Sequence, residues 1–419
     1  MRFKKCFVLS VILLMFFVRF NIYAVASEVT TNLPIIYGKA AISVDVATGE
    51  IIYAKNVDKQ MYPASTTKIM TALLLAENKK KTDSIKYTQS AKSQPAVSLN
   101  VNFHTIGIDE TMTGDDVMDG LLMYSANDAA YMIADNVSGN STNFMKTMND
   151  MAAKLNMTET HFVTPNGLHR EDHYTTPYDM SILARVAFLN PWVKESMTKN
   201  QNTISTSKGT TFTIKNTNKL LGVDGCIAGK TGYTSQAQRC LVAFYIRNGR
   251  EVMGVVLGSE KDPNDTYVFK DMLEIIDYSY NLHKTILHRK NTVIKTETVK
   301  YRPLRFFGLK KTISVPLVAK EDISYYNNEA NKKDLKENIS LTSIDFSSLK
   351  GKESIGTLKL TEKGQVKTYK IYSEASKSTL LKNCISTSIM ISGIFILFLI
   401  GIAFIIRIIL KSMLLLKRH

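Results

Sequence analysis

Polar and apolar positions change their period three times along this chain. Residues 39–54 alternate, with Ala41-Ile42-Ser43-Val44-Asp45-Val46 and Glu50-Ile51-Ile52-Tyr53 separated by Thr48-Gly49, which predicts two strands joined by a tight turn. From residue 63 to about 200, apolar residues recur at spacings of three and four, through 69–75, 117–123 and 144–155, so this block reads as helical. Strands return at 239–246 and 251–257, joined through Asn248-Gly249, a pair suited to the two left-handed positions of a hairpin turn. A helical pattern follows over about 267–282. Strands at both ends of a helical block predict one α+β domain whose sheet uses both ends of the segment. Residues 295–375 carry short alternating runs, such as Thr312-Ile313-Ser314-Val315 and Ser354-Ile355-Gly356-Thr357-Leu358-Lys359-Leu360, and predict a small β-rich module.

Two stretches have no alternation at all. Residues 7–18 are apolar, follow Lys4 and Lys5, and lead to Ala24-Val25-Ala26, which predicts a signal peptide over 1–26. Arg19 interrupts the run, so an uncleaved anchor helix is the alternative; either one exports the chain. Residues 385–406 are uncharged throughout and contain Ile394-Phe395-Ile396-Leu397-Phe398-Leu399-Ile400. At about 1.5 Å per residue this run crosses a hydrocarbon core of roughly 30 Å, which predicts a transmembrane helix. Arg407, Lys411, Lys417 and Arg418 follow it, so the positive-inside rule places a basic tail, 407–419, in the cytoplasm. The expectation is a single-pass protein of the cell membrane with its folded part on the extracytoplasmic face.

Composition narrows the choice. The 419 residues are 45% hydrophobic and 21% charged, which excludes a wholly disordered chain. Four of the +16 net charges lie in residues 1–26 and four in 385–419, so half of the basic excess belongs to the two apolar ends. No basic stretch is interleaved with aromatics elsewhere, which argues against nucleic acid as a partner. Four cysteines exclude a disulfide-stapled scaffold. Cys226 and Cys240 can face each other across a hairpin centred near Tyr233, as a disulfide or as two buried thiols.

Three short motifs carry chemistry. Pro63-Ala64-Ser65-Thr66-Thr67-Lys68 opens the first long helix, and a spacing of three puts Lys68 on the face of Ser65, about 5–6 Å away between Cβ atoms. A lysine beside a positive helix N-terminus holds its proton less readily, so it can take the serine proton and make Ser65 a nucleophile. Alone, the pattern is weak and describes an ordinary helix cap with a solvated lysine better than a nucleophile. Ser125-Ala126-Asn127 and Lys230-Thr231-Gly232 then follow in order, and three such motifs in sequence match the Ser-Lys acylating enzymes that bind penicillin.

With the stretches around them, notably 63–77, 121–128, 229–234 and Pro165-Asn166-Gly167-Leu168 through His173 to Asp179, residues 35–285 resemble the serine D-alanyl-D-alanine carboxypeptidases, the low-molecular-mass penicillin-binding proteins. Residues 295–375, with Lys350-Gly351-Lys352, are more loosely similar to the family's C-terminal β module. The resemblance implies a serine β-lactamase/D,D-peptidase-like fold. It also implies removal of the terminal D-alanine from peptidoglycan stem pentapeptides through a Ser65 acyl-enzyme, with β-lactams as covalent inhibitors and no metal or organic cofactor. By the same resemblance, Ser65 attacks, Lys68 is the general base and Ser125 relays the proton to the leaving amine. Asn127 holds substrate and Lys68, Lys230 and Thr231 bind the terminal carboxylate, Gly232 admits the substrate, and the N–H groups of Ser65 and Tyr233 form the oxyanion hole.

The chain departs from the family at the carboxylate end. The family's arginine after the last strand has no counterpart in 251–288, which leaves Lys261 or Lys270 as the substitute; Ala237-Gln238-Arg239-Cys240 lacks a usual glycine; and Cys226-Ile227-Ala228 lengthens the approach to Lys230. The alternatives are a D,D-endopeptidase on cross-links and a weakly catalytic β-lactam sensor or wall-binding protein. A metal peptidase built on His169-Arg170-Glu171-Asp172-His173 departs from the His-Glu-x-x-His pattern.

Overall fold

A computed structural model describes residues 32–304, 308–342, 349, 351 and 353–416. The signal peptide at 1–26, Lys350, Lys352, Lys417 and Arg418 lie outside the described residues. Five strands form the main antiparallel sheet: β1 (Ala40–Asp45), β2 (Ile51–Lys55), β3 (Cys226–Thr234), β4 (Gln238–Arg247) and β5 (Arg250–Ser259), in the order β2-β1-β5-β4-β3. The first hairpin enters beside the last strand, with Ala40 opposite Leu257 and Ile42 opposite Val255. The sheet therefore draws on both ends of the domain, as the pattern predicts. Asn248 and Gly249 both take positive φ, 50° and 76°, and turn the chain between β4 and β5.

Helices α1 (Lys68–Asn78), α2 (Asn127–Ser138), α3 (Ser141–Lys154) and α4 (Pro177–Leu189) cover one face, and α5 (Tyr267–Asn281) covers the other. Local chemistry sets their starts. The Thr176 side chain accepts from the Asp179 N–H with Pro177 in the first turn of α4, and Asn140 accepts from the Asn143 N–H ahead of α3. Along β4, Cys240, Val242 and Phe244 join the core on the helical side, while Leu241, Ala243 and Tyr245 join the core under α5. Burial on both faces is why this strand reads as an unbroken apolar run.

The structure departs from the sequence pattern in two places. The block read as helical contains a short strand pair, Ser84–Lys86 with Thr111–Thr113, and ends against a hairpin, Gln201–Ser205 with Thr211–Lys215. Ser84–Lys86 and Thr111–Thr113 are three residues each, too short to show a period, whereas Thr211–Lys215 alternates, with Phe212 and Ile214 buried. Cys226 and Cys240 do not face each other: Cys226 pairs with Tyr245 and Cys240 with Gly232, because the hairpin turns two to three residues beyond Tyr233. They lie on opposite faces of the sheet, each a free thiol, and burial pushes Cys240 up to about 12.

The C-terminal module is a second antiparallel sheet of β6 (Val293–Tyr301), β7 (Lys311–Ala319), β8 (Lys336–Leu341), β9 (Ser354–Glu362) and β10 (Gln365–Ser373), ordered β6-β7-β10-β9-β8. Val315, Leu317, Leu358, Leu360 and Ile371 centre its core. It docks on the first hairpin through polar contacts. Asn328 and Asn331 donate to the Ile51 carbonyl at 2.8 and 3.0 Å, and Gln365 donates to the Thr48 carbonyl at 2.8 Å. Buried Glu50 receives Lys284 at 2.7 Å and pairs with Lys367. Helix α6 (Lys377–Leu416) closes the chain. It begins eight residues before the uncharged run, and the stretch Lys377–Met413 is long and apolar enough to cross a membrane.

Candidate active site

Ser65 stands on a sharp bend rather than inside an α-helix. Residues Ala64–Thr67 form a 3₁₀ turn that runs into α1. Ala64 has φ 47°, a left-handed conformation costing an alanine about 1–2 kcal/mol. Gly167 packs directly against it, where a Cβ would run into the Ala64 carbonyl oxygen. Three residues per turn eclipse positions i and i+3. This brings Lys68 Nζ to 2.9 Å from Ser65 Oγ.

The turn is braced from behind. His173 Nδ1 accepts the N–H groups of Val163 and Thr164 at 2.9 and 3.2 Å, so the ring proton sits on Nε2 and is donated to Thr67 Oγ1 at 2.9 Å. Burial holds this histidine down to about 4, and it stays neutral. Both of its ring nitrogens are thus committed to the protein. Among the described residues, no group of three His, Cys, Asp or Glu side chains is placed to hold a metal.

Lys68 is fully buried, and its acceptors are the Ser65 hydroxyl, Asn127 Oδ1 at 3.0 Å and the Asn166 carbonyl at 2.8 Å. None is a carboxylate. Burial first, and the charge of Lys230 second, hold the amine well below its usual value, with Asp128 opposing. The sequence argument credited the helix N-terminus; desolvation is the larger cause. Asn127 opens α2 just after Ser125, which ends a π-helical turn, Gly120–Tyr124, at φ 75°. The Met123 carbonyl accepts the Thr217 N–H, and Thr217 Oγ1 meets Thr231 Oγ1 at 2.6 Å, which ties the Ser125 turn to β3.

Lys230, Thr231, Gly232 and Tyr233 lie on edge strand β3. Lys230 is fully buried, donates to the Thr231 carbonyl at 3.0 Å, and is lowered by burial to about 7. A Cβ on Gly232 would sit 2.9 Å from the Ser65 nitrogen and 3.1 Å from Ala64 Cβ. The glycine is therefore required by the serine turn itself, a tighter reason than clearance for substrate. Tyr233 is exposed, with Lys261 Nζ 4.6 Å and the Arg239 guanidinium 4.9 Å from its ring centre. Arg239 lies opposite Tyr233 in the register, and its Nε is 2.5 Å from Asp265 Oδ1. Lys270 instead sits over Tyr267.

The sequence assigns no role to Asn166 or Gly167 and weighs His173 only as a metal ligand, although all three lie in one short stretch that the resemblance includes. Asn166 acts through its backbone carbonyl, for which no side-chain signal exists. Arg239 was read only as a break in the family pattern.

A sandwich of this kind, with a Ser-x-x-Lys turn packed against a Lys-Thr-Gly edge strand, defines a serine acyl-enzyme peptidase of the penicillin-recognising class. The family model described as D-alanyl-D-alanine carboxypeptidase matches residues 27–261, and the chain belongs to this family. It is 30% identical to the D-alanyl-D-alanine carboxypeptidase DacF of Bacillus subtilis (strain 168), over 78% of this chain and 82% of that one. It is 29% identical to DacC of Escherichia coli (strain K12), over 80% and 82%. The crystal structure of the Streptomyces K15 DD-transpeptidase superposes with a TM-score of 0.55 at 29% identity, covering 60% of this chain and all of that one.

Proposed function

We propose that Ser65 is the nucleophile and Lys68 the general base of a membrane-anchored serine D-alanyl-D-alanine carboxypeptidase that trims peptidoglycan stem peptides. The observation that carries this is the buried Lys68 amine, 2.9 Å from Ser65 Oγ and held by burial well below its usual value, which is the direction a base for that proton needs. As Oγ attacks the carbonyl between the two D-alanines, its proton passes to Lys68 Nζ, and the oxyanion forms against the N–H groups of Ser65 and Tyr233. The proton then moves through Ser125 to the leaving amine, the C–N bond breaks, and D-alanine departs. Water hydrolyses the Ser65 ester, and a β-lactam acylates the same oxygen.

Asn127 fixes Lys68 and the substrate backbone. Lys230 and Thr231 face the terminal carboxylate, with Arg239 and Lys261 supplying charge at the mouth where the family's arginine is missing. The proposed organisation is a signal peptide at 1–26, a catalytic domain over 35–285, a β module over 295–375, a single span at 385–406 and a cytoplasmic end at 407–419. The run of charge after the span supports this orientation.

The test is D-alanine release from a diacylated L-Lys-D-Ala-D-Ala tripeptide by the full chain in detergent. Ser65→Ala and Lys68→Ala are each expected to lower kcat/KM by roughly 10⁴-fold or more, and Arg239→Leu to raise KM about tenfold with kcat kept. Fluorescent-penicillin labelling that survives Ser65→Ala would sink the assignment.

A further inference from the structure

Helix α6 is not a loose tether. Its first turns pack on the β module, with Leu380 and Thr387 buried, Asn383 Nδ2 donating to the Tyr301 hydroxyl at 2.9 Å, and Lys311 Nζ donating to Ser386 Oγ at 2.6 Å. Gly308, just ahead of β7, lies alongside the helix. A Cβ on Gly308 would sit 2.9 Å from Thr387 Cγ2 and 3.4 Å from Ile391 Cδ1. Ile391 is already inside the uncharged run that starts at Ile385, about 9 Å along the axis at 1.5 Å per residue. A helix that places this run in hydrocarbon therefore carries the loop down to the headgroups.

The loop has the composition for that position. Leu309 is 71% exposed and follows Gly308, next to Lys310 and Lys311, while Arg302 just after β6 and Lys382 in the first turns of α6 are also exposed. No acidic residue occurs in 299–319 or from 375 to the end of the chain. An exposed leucine in a stretch with cations and no acids fits an anionic lipid surface, where apolar side chains sit about 5–10 Å into the headgroup and acyl boundary.

We propose that the β module is seated on the membrane through Leu309, which inserts among the acyl ends of anionic phospholipids while Arg302, Lys310, Lys311 and Lys382 meet their phosphates. This rests on the reading of α6 as a membrane span.

The full chain would be reconstituted into phosphatidylglycerol-rich vesicles whose acyl chains are brominated close to the carbonyl. Leu309→Trp and, separately, Phe395→Trp add one indole each to the single native Trp192, which lies in the helical subdomain and serves as the internal reference. The expected result is quenched, blue-shifted emission from the indole placed at 309 and none from Trp192. Water-like, unquenched emission at 309 with quenching at 395 in vesicles brominated near the chain ends overturns the seated loop and leaves the span intact. No quenching at either position overturns both. In vesicles of phosphatidylcholine alone, undiminished quenching at 309 would overturn the charge component.

Discussion

Lysines are used in opposite ways in the active site and at the junction between the two sheets. Lys68 and Lys230 are fully buried, and their hydrogen-bond acceptors are a hydroxyl, an amide oxygen and backbone carbonyls. At the junction, Lys284 and Lys367 converge on Glu50, Lys367 also meets Glu362, and Lys363 meets Asp58 at 2.7 Å. A desolvated amine without a counter-charge loses its proton easily and becomes a base; an amine beside a carboxylate keeps its proton and holds two elements together. Burial alone would raise Glu50, but the hydrogen bonds from Lys284 and Lys367 outweigh it and keep the carboxyl low. One region is arranged to react and the other to stay in place.

Lys230→Met is the strongest way to break this comparison. Loss of the carboxylate partner is expected to lower kcat/KM roughly a hundredfold, while stability rises by about 1–2 kcal/mol because a buried unpaired amine has been removed. Lys230 falls to about 7 in the folded chain against an ordinary 10.5, so between those values the unfolded chain binds more protons. Its contribution to stability therefore grows as pH rises from about 7 towards 10.5, and the variant loses that part of the slope in urea titrations across this range. Unchanged stability at pH 7 would mean that the charge is compensated.

His173 extends the comparison to a second neutral, buried base. With its folded value at about 4 against 6.5, the unfolded chain takes up the proton first, so stability is lost as pH falls from about 6.5 to 4. The loss is roughly 3 kcal/mol by pH 4. His173→Gln should flatten that part of the profile in thermal melts; a parallel profile would show that the ring charges without cost.

The smallest effect belongs to the junction. Glu50→Gln leaves Lys284 and Lys367 without their shared carboxylate, and since both amines are partly solvated the cost should be about 1–2 kcal/mol. Turnover of a soluble tripeptide should be unchanged. A large drop in kcat would join the junction to the chemistry and dissolve the distinction between the two regions.

Much of this was legible in residues 39–54, 239–246 and 251–257, where period and turn residues are strong, and in the three motifs, whose order alone points to the chemistry. What escaped did so for physical reasons. In the 201–215 hairpin only Thr211–Lys215 alternates, and its partner Gln201–Ser205 is polar apart from Ile204, so the pair carries half a signal. The Cys226–Cys240 pairing failed because register depends on where the turn falls, and the one-residue irregularity between Cys226 and Ala228 moves Cys226 to the other face. Gly167 and the Asn166 carbonyl act through backbone, which no side-chain pattern encodes.

By itself, the sequence determined the two sheets, the apolar run near the C-terminus and the identity of the groups that can react, because period, charge and motif order are properties of the chain. Only the tertiary structure decided how those groups behave. Desolvation of Lys68 and Lys230, the neutral state of His173, the crowding of Gly232 on Ser65 and the docking of the module on the first hairpin all depend on neighbours distant in sequence. Solvent exclusion and field are properties of the packed environment, and residue order alone does not specify them.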